Sequence, residues 1–206
     1  MIHVGKKQIT ERIAIAQGTI SVGKEAFQLI KNKALPKGDA LALSEIVGIQ
    51  GAKNVSLSIP LCHPLILDHI ELKTELNESL FSINVYCKVI AHAKTGVEME
   101  ALAGVNSALL SIYDLTKMVN PDLQINDIKL LSKIGGKSGV WINPQGVPEW
   151  VLKMIPVEEK TLHEINCSII TLSDRASSGI YDDKSGVFIK EFLLKNRANI
   201  IHYNIT

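Results

Sequence analysis

Apolar and polar positions partly alternate over residues 12–22, the period of a strand with one buried face. Residues 23–33 read as a short helix closed at the Pro36 break, and Asp39 is a good N-cap for a second helix over 40–53. Two cleanly alternating runs, 69–76 and 80–92, are joined through Asn77-Glu78-Ser79 and predict a hairpin. Ahead of them, PLCHP at 60–64 sets two prolines around a Cys-His pair, so it is a shaped loop rather than helix interior. The strongest helical period covers 97–119. There Ala101, Val105, Ala108, Leu109, Ile112, Leu115 and Val119 share one stripe that must face a core. The other face carries Glu100, Ala103, Ser107, Ser111, Asp114 and Lys117, small and polar, which suits a ligand or another subunit. A further strand over 128–133 ends in GGKSG at 135–139.

This order of elements predicts an α+β fold with helices on one face of a mainly antiparallel sheet. Residues 141–165 read differently. Pro144, Pro148, Pro156, two tryptophans and the charged run Glu158 to Lys160 mark a linker that docks in part. Beyond it, 166–171 is a β-rich apolar run, 183–197 a helix and 199–205 a strand, the opening of a βαβ unit. The expected organisation is a first domain over 1–140, a linker over 141–165 and a truncated second segment over 166–206.

Composition narrows the classes. The 206 residues suffice for one ordinary domain plus part of another, and 46% hydrophobic with 21% charged residues is a soluble globular balance. Lys+Arg 22 against Asp+Glu 21 leaves a net charge of +1, so neither a nucleic-acid coat nor an acidic tail is expected, and an anionic ligand must be met by local cations. Cys62, Cys87 and Cys167 are scattered without C-x-x-C spacing, which argues against a disulfide framework or zinc site and for reduced thiols. No basic-plus-apolar leader or apolar run of about 18 residues is present, so a cytoplasmic protein without a membrane partner is expected.

Four clusters have residue types that do chemistry. Lys37 lies just before a predicted helix N-terminus, where backbone N–H groups favour an anion; a solvated lysine beside an ordinary cap is the plain alternative. His63, between prolines, can act as acid, base or donor, or can simply be exposed. Glu98 and Glu100 sit in a helix's first turn, where acids also merely complement the dipole. Asp114 and Lys117 are three apart on one helix and form either a structural ion pair or a coupled acid–base pair. GGKSG is not a Walker loop, because Leu131 stands where its first glycine should be. It is a strand-end turn, or a turn that brings Lys133 or Lys137 to a phosphate.

KGD at 37–39, GIQGAK at 48–53, PLCHPL at 60–65, KTGVEMEAL at 94–102, IYDLTK at 112–117 and LLSKIGGKSG at 130–139 occur in one order and spacing. This array resembles the cyclic pyranopterin monophosphate synthase family of molybdenum-cofactor biosynthesis, over about residues 4–140. The resemblance implies a ferredoxin-like α+β fold, a homo-oligomer of dimers assembled to a hexamer, and a nucleotide triphosphate substrate, 3′,8-cyclo-7,8-dihydroguanosine triphosphate. It implies no required cofactor and no protein-bound metal, with Mg²⁺ able to accompany the triphosphate. By motif, Asp114, Lys117 and Lys37 match the catalytic residues, and Leu61, Cys62, His63, Met99 and Glu100 the substrate-binding ones. Arg12, Lys53 and Lys133 are further phosphate or active-site contacts. The family's acidic residue near the start is His3 here.

If 97–119 is one helix, Glu100 and Asp114 are roughly 21 Å apart at about 1.5 Å per residue. One nucleotide can hardly touch both, so each site is expected to draw on two subunits. Lys117, set by Asp114, is expected to do acid–base work with Lys37 assisting, a desolvated lysine among cations being able to lose its proton. Residues 167–194 resemble the start of the molybdopterin adenylyltransferase family, with Ser173, Asp174 and Arg175 in the matching motif. A bifunctional enzyme with that second activity is therefore one alternative, and a non-catalytic pterin-binding module another.

Overall fold

In the computed structural model, which describes residues 1–137, 139–155, 162 and 165–206, the first strand is β1 (Thr10–Ser21). Ala14, Ala16 and Ile20 on one of its faces are buried, and the sheet's central partner strand follows the same rule through Ile83, Val85, Cys87, Val89 and Ala91. A strand with one fully buried face needs a helical layer above it. The chain supplies that layer at once: α1 (Lys24–Lys31), α2 (Ala40–Lys53) and the short α3 (Val55–Ser58) lead to the hairpin β2 (His69–Asn77) and β3 (Ser82–Ala93). Helix α4 (Glu98–Thr116) then returns the chain to β4 (Gln124–Ile134), and β5 (Val140–Ile142) adds an edge. The chain divides into two units, Met1–Ile155 and Pro156–Thr206.

The five-stranded sheet has the order β2-β3-β1-β4-β5, all neighbours antiparallel. Because β3 lies between β1 and β2, and β1 between β3 and β4, the helical connections form two interleaved βαβ crossovers. That is the ferredoxin-like arrangement. Helix α2 begins as predicted, with Asp39 Oδ1 accepting from the Leu41 and Ala42 N–H groups at 3.1 and 3.2 Å. The hairpin's second strand starts two residues later than its alternation suggests, since Leu80 and Phe81 complete the turn and Phe81 has φ 47°.

The two long helices lie almost backbone to backbone. Ser44, Gly48 and Ala52 form a ridge of small buried residues on α2 that faces Gly104 on α4. A Cβ on Gly51 would collide with Ser107 Oγ and stand 3.0 Å from the Ala103 carbonyl. The face of α4 expected to be free is therefore partly roofed by α2 at Ala103 and Ser107, and Glu100 is fully buried. Asn106, Leu110, Asp114 and Lys117 remain exposed.

The residues assigned to a linker turn out to be structural up to Ile155. β5 pairs with β4, and α5 (Glu149–Met154) lies on the sheet face opposite the long helices. Its Val151 is buried with Ile15, Tyr86 and Leu131, and Trp150 meets Tyr86 edge to face at 5.2 Å. A linker that docks in part is the expectation; which residues dock is not legible, because the anchors are single residues with no period. Pro156 and the Glu158–Lys160 run lie outside the described residues.

The second unit holds β6 (Asn166–Thr171), the one-turn α6 (Asp174–Ser177), α7 (Lys184–Lys195) and β7 (Asn199–Ile205). β6 and β7 are parallel, so the expected βαβ unit is present. Asp183 caps α7 at the Gly186 N–H and also accepts from the Thr171 and Tyr203 hydroxyls at 2.7 and 2.6 Å. Ile170, Leu172, Phe188, Phe192 and Ile201 are exposed, whereas parallel sheets are normally covered on both faces.

Gly51→Val tests the close helix approach. Forcing α2 from α4 costs about 1–3 kcal/mol, more than the small helix-propensity gain returns. The expected result is a lower urea midpoint; an unchanged midpoint would mean that the helices have room to part.

Candidate functional site

At the C-terminal end of α4, Asp114 is held between two lysines. Lys117, one turn on, places Nζ 2.8 Å from Asp114 Oδ1. Lys37, 77 residues away in sequence, donates to Oδ2 at 2.9 Å and to the Asp114 carbonyl at 3.2 Å. The Pro36 break and the Asp39 cap bring Lys37 here, because they turn the chain from α1 into α2 beside the end of α4. Lys117 first, then Lys37, hold the Asp114 carboxyl down at about 2, while Asp114 raises the pKa of Lys117. The group carries two positive charges and one negative and is half open to solvent.

Of the two expectations for this pair, a lysine kept charged or one tuned toward proton loss, the geometry favours the first. Lys117 is too exposed to be desolvated, and its carboxylate neighbour stabilises the charged form. In the chain alone it is an ammonium, able to give a proton and to attract an anion.

The other end of α4 is chemically opposite. Glu100 is 2% exposed, and burial raises its carboxyl pKa. Its side-chain neighbour is Cys62, whose thiol lies 3.8 Å from Oε1 and is itself pushed up, by burial first and by Glu100 second. His63 places Nε2 3.0 Å from the Ile2 carbonyl, which requires the Nε2–H form. Leu61 is exposed on the same loop. Met99 borders a largely apolar groove of about 680 Å³ between α2 and α4, with Val47, Gln50, Asn54, Leu102 and Asn106.

A third group occupies the sheet end beside this site. Lys133 pairs with Glu98 at 3.1 Å, and Arg12 donates from Nε to the Ala93 carbonyl at 3.4 Å. Arg12, Glu98, Lys133 and Gly135 line a hollow of about 60 Å³. The GGKSG glycines are explained here. Gly136, at φ 73°, lies against the Arg12 guanidinium, and a Cβ on Gly135 would strike the Glu11 carbonyl.

The expected residues thus form two clusters rather than one. Lys37, Asp114 and Lys117 converge, and Cys62 meets Glu100, while the His63 ring turns to the Ile2 carbonyl and Met99 to the α2–α4 groove; an unbroken 19-residue α4 separates Glu100 from Asp114. Sequence reasoning missed the pairing of Glu98 with Lys133, which are 35 residues apart on a helix and a strand. Among the described residues no cluster of three or more His, Cys, Asp or Glu is placed to hold a metal ion, and no helix is long and apolar enough to cross a membrane.

The MoaC family profile matches residues 1–136. The chain belongs to the MoaC family. A cyclic pyranopterin monophosphate synthase from Helicobacter pylori is 44% identical over 139 residues, covering 68% of this chain and 88% of that protein. A molybdenum cofactor biosynthesis bifunctional protein from Synechococcus elongatus is 41% identical over 200 residues, 97% of this chain. The human molybdenum cofactor biosynthesis protein 1 is 42% identical over 139 residues. This chain spans 61% of the bifunctional relative's length and 22% of the human one's. The MoaC match covers all three groups of site residues.

The lysine clamp makes an electrostatic prediction. A ¹³C-monitored titration of the Asp114 carboxyl should have its midpoint near 2 and move toward the ordinary 3.8 in Lys117→Met, more than in Lys37→Met. Because the folded value is depressed, the stability it contributes is complete above the unfolded value and lost as pH falls through the folded one. A wild-type midpoint near 3.8 would remove the clamp.

Proposed function

We propose that this MoaC-family chain is a lyase that converts 3′,8-cyclo-7,8-dihydroguanosine 5′-triphosphate to cyclic pyranopterin monophosphate and diphosphate, in the cytoplasm. The observation that carries this reading is the Asp114 carboxylate held at 2.8 and 2.9 Å by Lys117 and Lys37 from separate elements. The synthase name of a 44% identical relative supports the substrate class.

The reaction opens the purine five-membered ring, closes a pyrazine ring, and joins a sugar-derived hydroxyl to the inner phosphate. In that last step an O–P bond forms, the P–O bond to the outer phosphates breaks, and the hydroxyl proton must leave. The chemistry needs proton transfer and charge neutralisation. Lys117 gives a proton during the ring steps and takes one back from the sugar-derived hydroxyl as it attacks phosphorus, while Asp114, ionised throughout, favours the ammonium form and fixes its position. Lys37 adds charge against the phosphates. Buried Glu100, with Cys62, His63 and Met99, contacts the base-derived part of the substrate.

The two clusters require a second subunit. Fourteen residues of α4 separate Glu100 from Asp114, roughly 21 Å at about 1.5 Å per residue. One site thus takes the Met99–Glu100 end from one subunit and the Asp114–Lys117 end from its partner. Exposed Leu43, Ile46, Val47 and Leu110 on the helical layer give such a partner an apolar face. The assembly is a hexamer built of dimers.

A second reading concerns residues beyond the MoaC match. Identity to the bifunctional relative extends through the second unit, which favours a fusion whose other activity is molybdopterin adenylyltransferase.

Incubation of the protein with the cyclised nucleotide should release diphosphate without ATP, and Lys117→Met or Asp114→Asn should lower kcat by about 10²–10⁴. Wild-type turnover in Lys117→Met would sink the assignment. Glu100→Ala and Asp114→Ala proteins, each inactive, should regain activity when refolded together. An inactive mixture that still forms mixed oligomers would exclude the shared site.

A further inference from the structure

The first residues of the chain are tied down by two basic side chains that belong to the site's own loops. His63, from the PLCHP loop, meets the Ile2 carbonyl at 3.0 Å, and Lys94, from the loop before α4, donates to the Gly5 carbonyl at 3.1 Å. A turn closed by the Lys7 N–H on the Val4 carbonyl, at 3.0 Å, sets the two carbonyls apart along the segment. Lys94 is half-buried, and among the described residues no carboxylate pairs with it. It directly follows Ala93, whose carbonyl accepts from Arg12, so two cations share one strand end. An ammonium satisfied by a single backbone carbonyl of a coil segment is held weakly compared with one that meets an anionic oxygen.

We propose that Lys94 is a further phosphate-binding residue of this site and that residues 1–7 form a clasp, the Gly5 carbonyl standing where an oxygen of the ligand's phosphates goes. The ligand class is a nucleotide triphosphate, so this rests on the reading given under Proposed function. In the free protein the Gly5 and Ile2 carbonyls satisfy Lys94 and His63. When the anion arrives, Lys94 exchanges the carbonyl for phosphate and the segment is released. The exchange keeps the cation hydrogen-bonded in both states, so the site is never left with a bare ammonium.

Lys6 and Lys7, exposed within the clasp, give a direct readout by limited trypsin digestion of the whole chain. Saturating inorganic triphosphate should speed cleavage after Lys6 and Lys7, followed by mass spectrometry of the N-terminal peptide. Lys94→Met should be cut fast without ligand and show no further response, whereas Lys94→Arg should behave as wild type. With the cyclised nucleotide, Lys94→Met should raise KM roughly ten- to a hundredfold, the loss of one hydrogen bond to a charged group, and change kcat far less. Triphosphate that binds, by calorimetry, yet slows cleavage or leaves it unchanged overturns the exchange alone. Triphosphate that does not bind overturns the site reading and the exchange with it. A Lys94→Met protein that equals wild type in cleavage and KM removes Lys94 from the site even if the rest stands.

Discussion

Helix α4 sets the dimensions of everything functional in the first unit. Nineteen residues run without a break, pressed into the sheet by Ala101, Val105, Ala108, Leu109 and Ile112 and clamped from above by the small-residue ridge of α2. Close approach of two helices at glycine leaves little freedom to slide or bend, since any shift opens voids in a dense interior. The distance between the helix ends is therefore fixed, and so is the separation of the groups they carry. A bent helix could have folded Glu100 and Asp114 onto one ligand. This one keeps them apart.

The same rod gives its two carboxylates opposite environments. Glu100 faces inward, where water is absent and its neighbour is a thiol, so the neutral acid gains. Asp114 faces outward into two ammonium groups, so the ion gains. Two acids on one helix are thus driven in opposite directions by their surroundings. The third group, at the sheet end, adds Arg12 and Lys133, with Glu98 paired to Lys133. Positive charge is thus gathered locally in a chain whose net charge is +1.

What could be read from the residues follows from range. The period of α4, the Asp39 cap and the alternation of the central strands are local, and each lies where its pattern places it. The first-turn acids were legible as a pair but not as a contrast. Nothing in KTGVEMEAL distinguishes Glu98, which reaches Lys133, from Glu100, which turns into the core, until the helix is rotated against the sheet. The strap at 147–151 escaped for a related reason. Val147, Trp150 and Val151 follow prolines and have no repeat, and their meaning comes entirely from the bare patch of Ile15, Tyr86 and Leu131 on distant strands. The direction of the Lys117 shift was open in the sequence, because spacing sets the pair while exposure decides which proton is held.

On the second face of the sheet, the chain beyond the family match at residue 136 covers the apolar patch of Ile15, Tyr86 and Leu131. Ile15 and Leu131 are too few for a second layer of long helices, and a two-turn segment with one aromatic suffices to cover them. Tyr86 is the pivot. Its ring takes the edge of Trp150, Lys73 stacks over the same indole at 4.9 Å, and burial pushes its hydroxyl up to about 12. The neutral phenol ring packs beneath the indole and closes this face of the sheet.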